Sequence, residues 1–231
     1  MDWAYTVFVE SAVWICLLVL CYGISLRIAS ASQQHVLLHP IVVTTILLLV
    51  LTQIIEPDVA RVMGHLDLVQ WLLGPLTVGL ALPVYKQLPV LRRMGIKVVL
   101  PIMVGGIFAP LSAWSVLYFL GTDVAWQMTM LTKSITTPFA MDTATMLGGI
   151  AGLAAVFNIV TGVIVVMTLP MVNHILRIHG DQASGLMLGV LGHGIGTSKA
   201  VLLSEQAGAF ASLALCVNGV VTAMALSFLF G

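Results

Sequence analysis

The sequence predicts an all-α polytopic membrane protein of about eight membrane segments, some of them discontinuous or re-entrant, in an inverted-repeat transporter architecture. Three observations carry that prediction. Apolar residues fill 60% of the 231 positions and charged ones 8%, with mean hydropathy +1.10; soluble domains carry about 25% charge to build a wetted surface. Apolar runs near the length of a bilayer-crossing helix, about 20 residues, recur along the chain. Two of these runs are broken by polar stretches, "LTKSITTPFAMD" and "GHGIGTSKAVLL".

Taken in order, the segments are expected at 5–28, 36–55, 68–85, 97–120, 124–147, 149–172, 184–204 and 207–230. The first is preceded by Asp2 and includes Glu10 rather than a basic leader, and no small-residue cleavage pattern follows it, so it reads as a retained span. Between the second and third, "EPDVARVMGHLD" is short and polar enough for an interfacial turn or helix. Nothing in composition marks a linker, and the chain is expected to be one transmembrane domain over 1–231, with candidate repeat halves 1–120 and 121–231. Zero net charge offers no basic surface for nucleic acid. Cys16, Cys21 and Cys216 all lie in apolar runs and read as packing residues rather than a disulfide or metal set.

Orientation follows the lysines and arginines. "KQLPVLRRMGIK", with Lys86, Arg92, Arg93 and Lys97, is the richest basic cluster and is expected to be cytoplasmic, as is the loop holding Arg177. Both can face the same side only if 124–147 enters and returns, or is otherwise irregular. Segment 68–85, with Gly74, Pro75, Gly79 and Pro83, echoes 184–204, with Gly189, Gly192, Gly194 and Gly196. Paired interrupted segments point to a transporter's binding site, although close helix packing alone also favours glycine.

The two polar breaks carry the chemistry. In the first, Pro138 cannot donate a backbone hydrogen bond and suits a first helical turn, with Thr137 before it as N-cap. The spacing predicts a helix that stops near Lys133 and restarts at Pro138. In the second, glycines 192, 194 and 196 are expected to unwind the chain, Thr197 or Ser198 to cap the restarted helix, and Lys199 to fall in its first turn. A cation beside a positive helix end is disfavoured unless an anion sits there. Lys133, Ser134, Thr136, Thr137, His193, Thr197, Ser198 and Lys199 are therefore the candidate substrate-binding residues, for a small anion near mid-membrane. An ionised lysine at that depth costs about 2.5–3.5 kcal/mol or more, which a bound carboxylate would offset. The bland alternatives are that both lysines snorkel and that the hydroxyls bond back to their own helices. Asn158 and Asn218 sit mid-span and read as bonding between helices, with pathway lining as a lesser alternative.

No metal site or cofactor is expected: His193 has no suitably spaced neighbours, and His35 and His39 lie at a membrane edge. Catalysis is not expected either. Lys133 and Ser134, or Ser198 and Lys199, are adjacent on the chain and cannot face one another on a helix.

"LTKSITTPFAM" and "GHGIGTSKA" resemble the signature stretches of the LrgB/CidB family, and the likeness extends over essentially the whole chain. That resemblance implies a bacterial inner-membrane protein acting with a small LrgA/CidA-type membrane partner. The family was named for an antiholin-like role in murein hydrolase control and lysis. It also resembles the LrgB-like half of the plant plastidial glycolate/glycerate translocator, and bacterial members are linked to pyruvate movement. The expectation is a secondary transporter of small monocarboxylates or 2-hydroxy-carboxylates (glycolate, glycerate, lactate or pyruvate type). The alternative is a holin-like regulatory component that works through oligomerisation.

Overall fold

The computed structural model describes residues 2–32, 35–69, 71–72, 75, 85, 89 and 92–230. Segment 68–85, expected as the third span, lies largely outside the described residues, as does Lys86 of the basic cluster. The described elements are helical, and five helices are long and apolar enough to cross a membrane. The chain divides into two compact units, Met1–Leu76 and Thr77–Gly231.

In the first unit, α1 (Asp2–Ala31) is joined through a short 3-10 turn to α2 (Pro40–Ile55). Proline opens α2, where its missing N–H is no loss, and the His39 ring accepts from the Ile41 N–H. The buried hydroxyls of Ser25 and Thr44 tie α1 to α2 at 2.6 Å. The "EPDVARVMGHLD" stretch becomes a sharp turn and α3 (Val59–His65), bent 113° from α2. Asp58 caps α3 by accepting from the N–H groups of Ala60 and Arg61. His65 and Arg61 then reach Glu10 on α1, at 3.2 and 3.9 Å.

The second unit contains α4 (Ile96–Phe119), α5 (Val124–Leu131), α6 (Thr137–Met146), α7 (Ala151–Ile175), α8 (Asp181–Leu203) and α9 (Glu205–Phe230). Segment 124–147 is not one helix: it stops at Leu131 and restarts at Thr137. It also doubles back. The Ile150 N–H donates to the Thr129 hydroxyl at 2.8 Å, and Asn158, two turns into α7, donates to the Ile135 carbonyl at 2.8 Å. α5 therefore descends to the 132–136 turn, α6 climbs back, and α7 descends beside it. Ile135, Ala140, Ala144 and Ala154 pack where the three meet.

Length and composition make α8 a spanning helix; its contacts do not. The Ser204 hydroxyl donates to the Asp181 carboxylate at 2.7 Å, whereas a straight helix would hold those residues about 34 Å apart. The chain reverses at His193, with φ 39° and ψ −123°. One arm, 181–192, rises, and the other, 194–203, returns to the same end. The expectation that 184–204 crosses the membrane is thus corrected. The first arm then lies beside the start of α9, where Gly185 meets the Ala207 carbonyl and Gly189 the Ala211 carbonyl. Such backbone approach is what small residues permit between membrane helices.

The two hairpins enter from opposite ends. At the far end from α8's ends, the Ser227 hydroxyl near the end of α9 reaches the Met146 sulfur. At the near end, Met94 and Lys97 at the start of α4 line one cavity with Ile178 and Gln182. Arg92, Arg93, Lys97 and Arg177 therefore gather at one end of this unit, as the charge pattern required, because 124–146 returns instead of crossing.

Candidate functional site

The site is the meeting of the two hairpin turns, the first at 132–136 and the second at His193. Successive hydrogen bonds to the carbonyl three residues back (Thr132 N–H to Thr129, Lys133 N–H to Met130, Ile135 N–H to Thr132) carry the chain from α5 into the first turn. α6 then begins with Thr136 as N-cap and Pro138 at its second position. Helix restart is where the sequence placed it, but the cap is Thr136 rather than Thr137, and its side chain makes no capping bond. Thr136 is the last residue with extended backbone (φ −60°, ψ 145°), so Thr137 takes the first helical position despite the proline after it.

The carbonyls of the turn are all taken. The Lys133 main chain is hydrogen-bonded to the His193 ring. The Ser134 carbonyl accepts from Asn218 at 2.6 Å, that of Ile135 accepts from Asn158, and that of Thr136 from the Ala140 N–H. By contrast, the first-turn N–H groups of α6 have no intrahelical acceptor, as at any helix start. With acceptors satisfied and donors left over, the turn is electropositive even before Lys133 is counted. The half-buried Lys133 ammonium donates to the Ser134 hydroxyl at 3.3 Å. Asp142, its nearest acid in sequence, is exposed on α6 and forms no ion pair with it.

The second turn differs from its expected form. Its glycines do not unwind the chain over 192–196; His193 alone leaves helical geometry, and the helix resumes at Gly194. Thr197, Ser198 and Lys199 consequently sit inside the returning arm rather than capping it. The Ser198 hydroxyl bonds back to the Ile195 carbonyl at 2.8 Å, and Lys199 is half-buried about two turns past the reversal. The glycines serve close approach: Gly196 lies against the Leu188 carbonyl across the hairpin, and Gly162 of α7 against Gly192 and Ile195. A non-glycine residue at positive φ is strained, and such strain concentrates at functional sites. The bond from His193 to the Lys133 main chain helps hold it there.

Among the described residues, six buried side-chain polar atoms have no hydrogen-bond partner, and four belong to this junction: Thr136 Oγ1, Asn158 Oδ1, His193 Nε2 and Thr197 Oγ1. An unpaired polar group costs several kcal/mol in hydrocarbon, so their concentration at one place is chemically informative. The structure thus brings Lys133, Ser134, Thr136, Thr137 and His193 to the junction, with Thr197 one turn away; Ser198 is engaged within its own arm. Asn158 and Asn218, marked by sequence as bonding between helices, turn out to hold the first turn in place. A midspan carboxamide in an apolar run was the available signal. Among the described residues no three His, Cys, Asp or Glu side chains group to hold a metal ion.

Residues 18–231 match the LrgB-like family. The chain is 35% identical over 158 residues to the uncharacterized protein YwbG of Bacillus subtilis (strain 168), covering 68% of this chain and 70% of that protein. It is 28% identical over 207 residues to the antiholin-like protein LrgB of Bacillus mycoides (strain KBAB4) and of Bacillus cereus (strain B4264), covering 90% of each chain. No solved structure matches.

Proposed function

The chain belongs to the LrgB-like family, and we propose that it is a secondary transporter of small monocarboxylates or 2-hydroxy-carboxylates, of the glycolate, glycerate, lactate or pyruvate type. One observation carries this reading: two hairpin turns, entering from opposite ends, meet at a point rich in unused donors and a lysine. A carboxylate placed there accepts from the α6 start and from the Lys133 ammonium. The dipole of α6 favours negative charge at that same point.

The opposed hairpins also support an inverted repeat, narrower than the halves 1–120 and 121–231. Residues sixty positions apart coincide between 124–171 and 184–231: Leu131 with Leu191, Ile135 with Ile195, Thr137 with Thr197, Ala140 with Ala200, Gly148 with Gly208, Asn158 with Asn218. In that register Lys133 corresponds to His193. Two like structures facing opposite ways provide alternating access when each gates one side of a shared site. A cavity of about 550 Å³, lined by Lys97, Gln182, Val190 and Leu191, leads from the basic end towards the second turn. On this reading the protein sits in the bacterial inner membrane and acts with a small LrgA/CidA-type partner.

Purified chain in proteoliposomes, with and without that partner, tests it: labelled glycolate, lactate or pyruvate should exchange across the membrane. No flux of any of them in either preparation would overturn the proposal. The relatives named antiholin-like LrgB favour a second reading, a regulatory component in lysis. That role needs packing faces but no buried cation, so Lys133→Ala separates the two: transport is lost, whereas a packing role survives.

A further inference from the structure

The sixty-residue correspondence exposes an asymmetry. In α9, the Asn218 carboxamide donates to the Ser134 carbonyl, and its oxygen accepts from the Thr222 hydroxyl one turn on, at 3.2 Å. In α7, the Asn158 carboxamide likewise donates to a turn carbonyl, that of Ile135. The position matching Thr222 is Gly162, however, and it brings no hydroxyl. Glycine stands there because the second hairpin packs against it: an added Cβ would lie 3.1 Å from the Gly192 carbonyl oxygen and 3.0 Å from Ile195. Asn158 is 1% exposed, and its Oδ1 is left without a donor. Amide orientation is not in question, since only the NH2 group can serve the Ile135 carbonyl. Asn158 therefore sits on α7 between the first turn, which its NH2 group touches, and the second, which Gly162 meets one helical turn further on.

We infer that Asn158 Oδ1 is the acceptor for a hydroxyl on the substrate, so that the site selects 2-hydroxy acids over 2-oxo acids and unsubstituted acids. This rests on the transport reading above. The surrounding donors (the α6 N–H groups and Lys133) bind the carboxylate, and Asn158 supplies an acceptor beside them. A lactate-type hydroxyl donates to that acceptor. The keto oxygen of pyruvate, itself only an acceptor, is repelled by it, and a hydrogen leaves it unpaired. A site with a buried polar group discriminates strongly against a ligand that leaves the group unmatched.

The test is competition against labelled glycolate uptake by the full chain in proteoliposomes, using lactate, pyruvate, propionate and 2-chloropropionate. Wild-type protein should prefer lactate to each of the other three by about tenfold or more. In Asn158→Leu, which also gives up the bond to the Ile135 carbonyl, overall uptake should fall, and among the acids that still compete the lactate preference should fall to near one. If the variant does not fold, the wild-type comparison of lactate with 2-chloropropionate, similar in size but without a donor, decides alone. Flat competition in the wild type, or a preference retained in folded Asn158→Leu, overturns the inference and leaves the transport reading standing. A sodium requirement for wild-type uptake that disappears in Asn158→Leu also overturns it, because the oxygen would then serve a cation. Absence of uptake for every acid overturns both.

Discussion

Gly196→Ala separates a folded-back α8 from a straight one by the sign of its effect. In a straight membrane-crossing helix, replacing an interior glycine with alanine stabilises by about 1 kcal/mol through backbone entropy. In the hairpin the new Cβ would lie 2.9 Å from the Leu188 carbonyl carbon and closer still to its oxygen. Carbon contacts relax at about 3.5–4.0 Å, so the first arm would have to retreat by roughly 1 Å at a point where Gly185 and Gly189 already press it against α9. Overpacking of this kind costs about 1–3 kcal/mol, and here a backbone atom rather than a flexible side chain must move. The expected net effect is destabilisation by about 1–2 kcal/mol. Gly194→Ala, whose Cβ meets nothing within 4 Å, is the control and should be neutral or slightly stabilising. Thermal unfolding of the purified variants in detergent reads both. A cysteine pair at positions 181 and 204 should also crosslink in the parent and less readily in Gly196→Ala. An equally stable or stabilised Gly196→Ala, or no crosslink in the parent, would refute the hairpin.

Lys133→Ala should abolish carboxylate exchange while the protein still inserts and stays monodisperse, and Lys199→Ala, about two turns from the junction, should impair it less; normal exchange in Lys133→Ala would return that lysine to a snorkelling role. Thr136→Val removes a buried hydroxyl that has no partner, so melting temperature should hold or rise while the apparent affinity for glycolate drops about tenfold; a fall in stability with unchanged affinity would mean a structural bond instead. Single cysteines at positions 93 and 177 should label from the same side of the membrane and one at position 123 from the other; labelling of 93 and 177 from opposite sides would require 124–146 to cross.

Much of this fold was legible in the chain because hydrocarbon imposes few options. With so little charge and so many long apolar runs, helices had to satisfy their own backbone groups. Pro138 dictated a restart wherever it fell, since it lacks the N–H that a continuing helix would use. The count of basic residues at 92–97 and at 177 could be satisfied only by a segment that returns, and the structure contains that return. The junction of the two breaks was marked by the same chemistry, since lysine, hydroxyls and histidine are costly in hydrocarbon.

What the glycines of 181–203 do was not legible. A glycine invites close approach without naming what approaches, and the same spacing suits a straight helix packed on a neighbour or a hairpin packed on itself. Only the tertiary structure, which sets Gly196 against Leu188 and Asp181 beside Ser204, decided between them. It also decided that Asn158, and not its counterpart Asn218, keeps an unpaired oxygen. Both residues look alike in sequence, and whether an amide is satisfied depends on which atoms of distant segments fold to within about 3 Å of it. Local chemistry therefore located the breaks and their charge. Long-range packing determined which way each broken helix runs and which polar atoms remain available to a ligand.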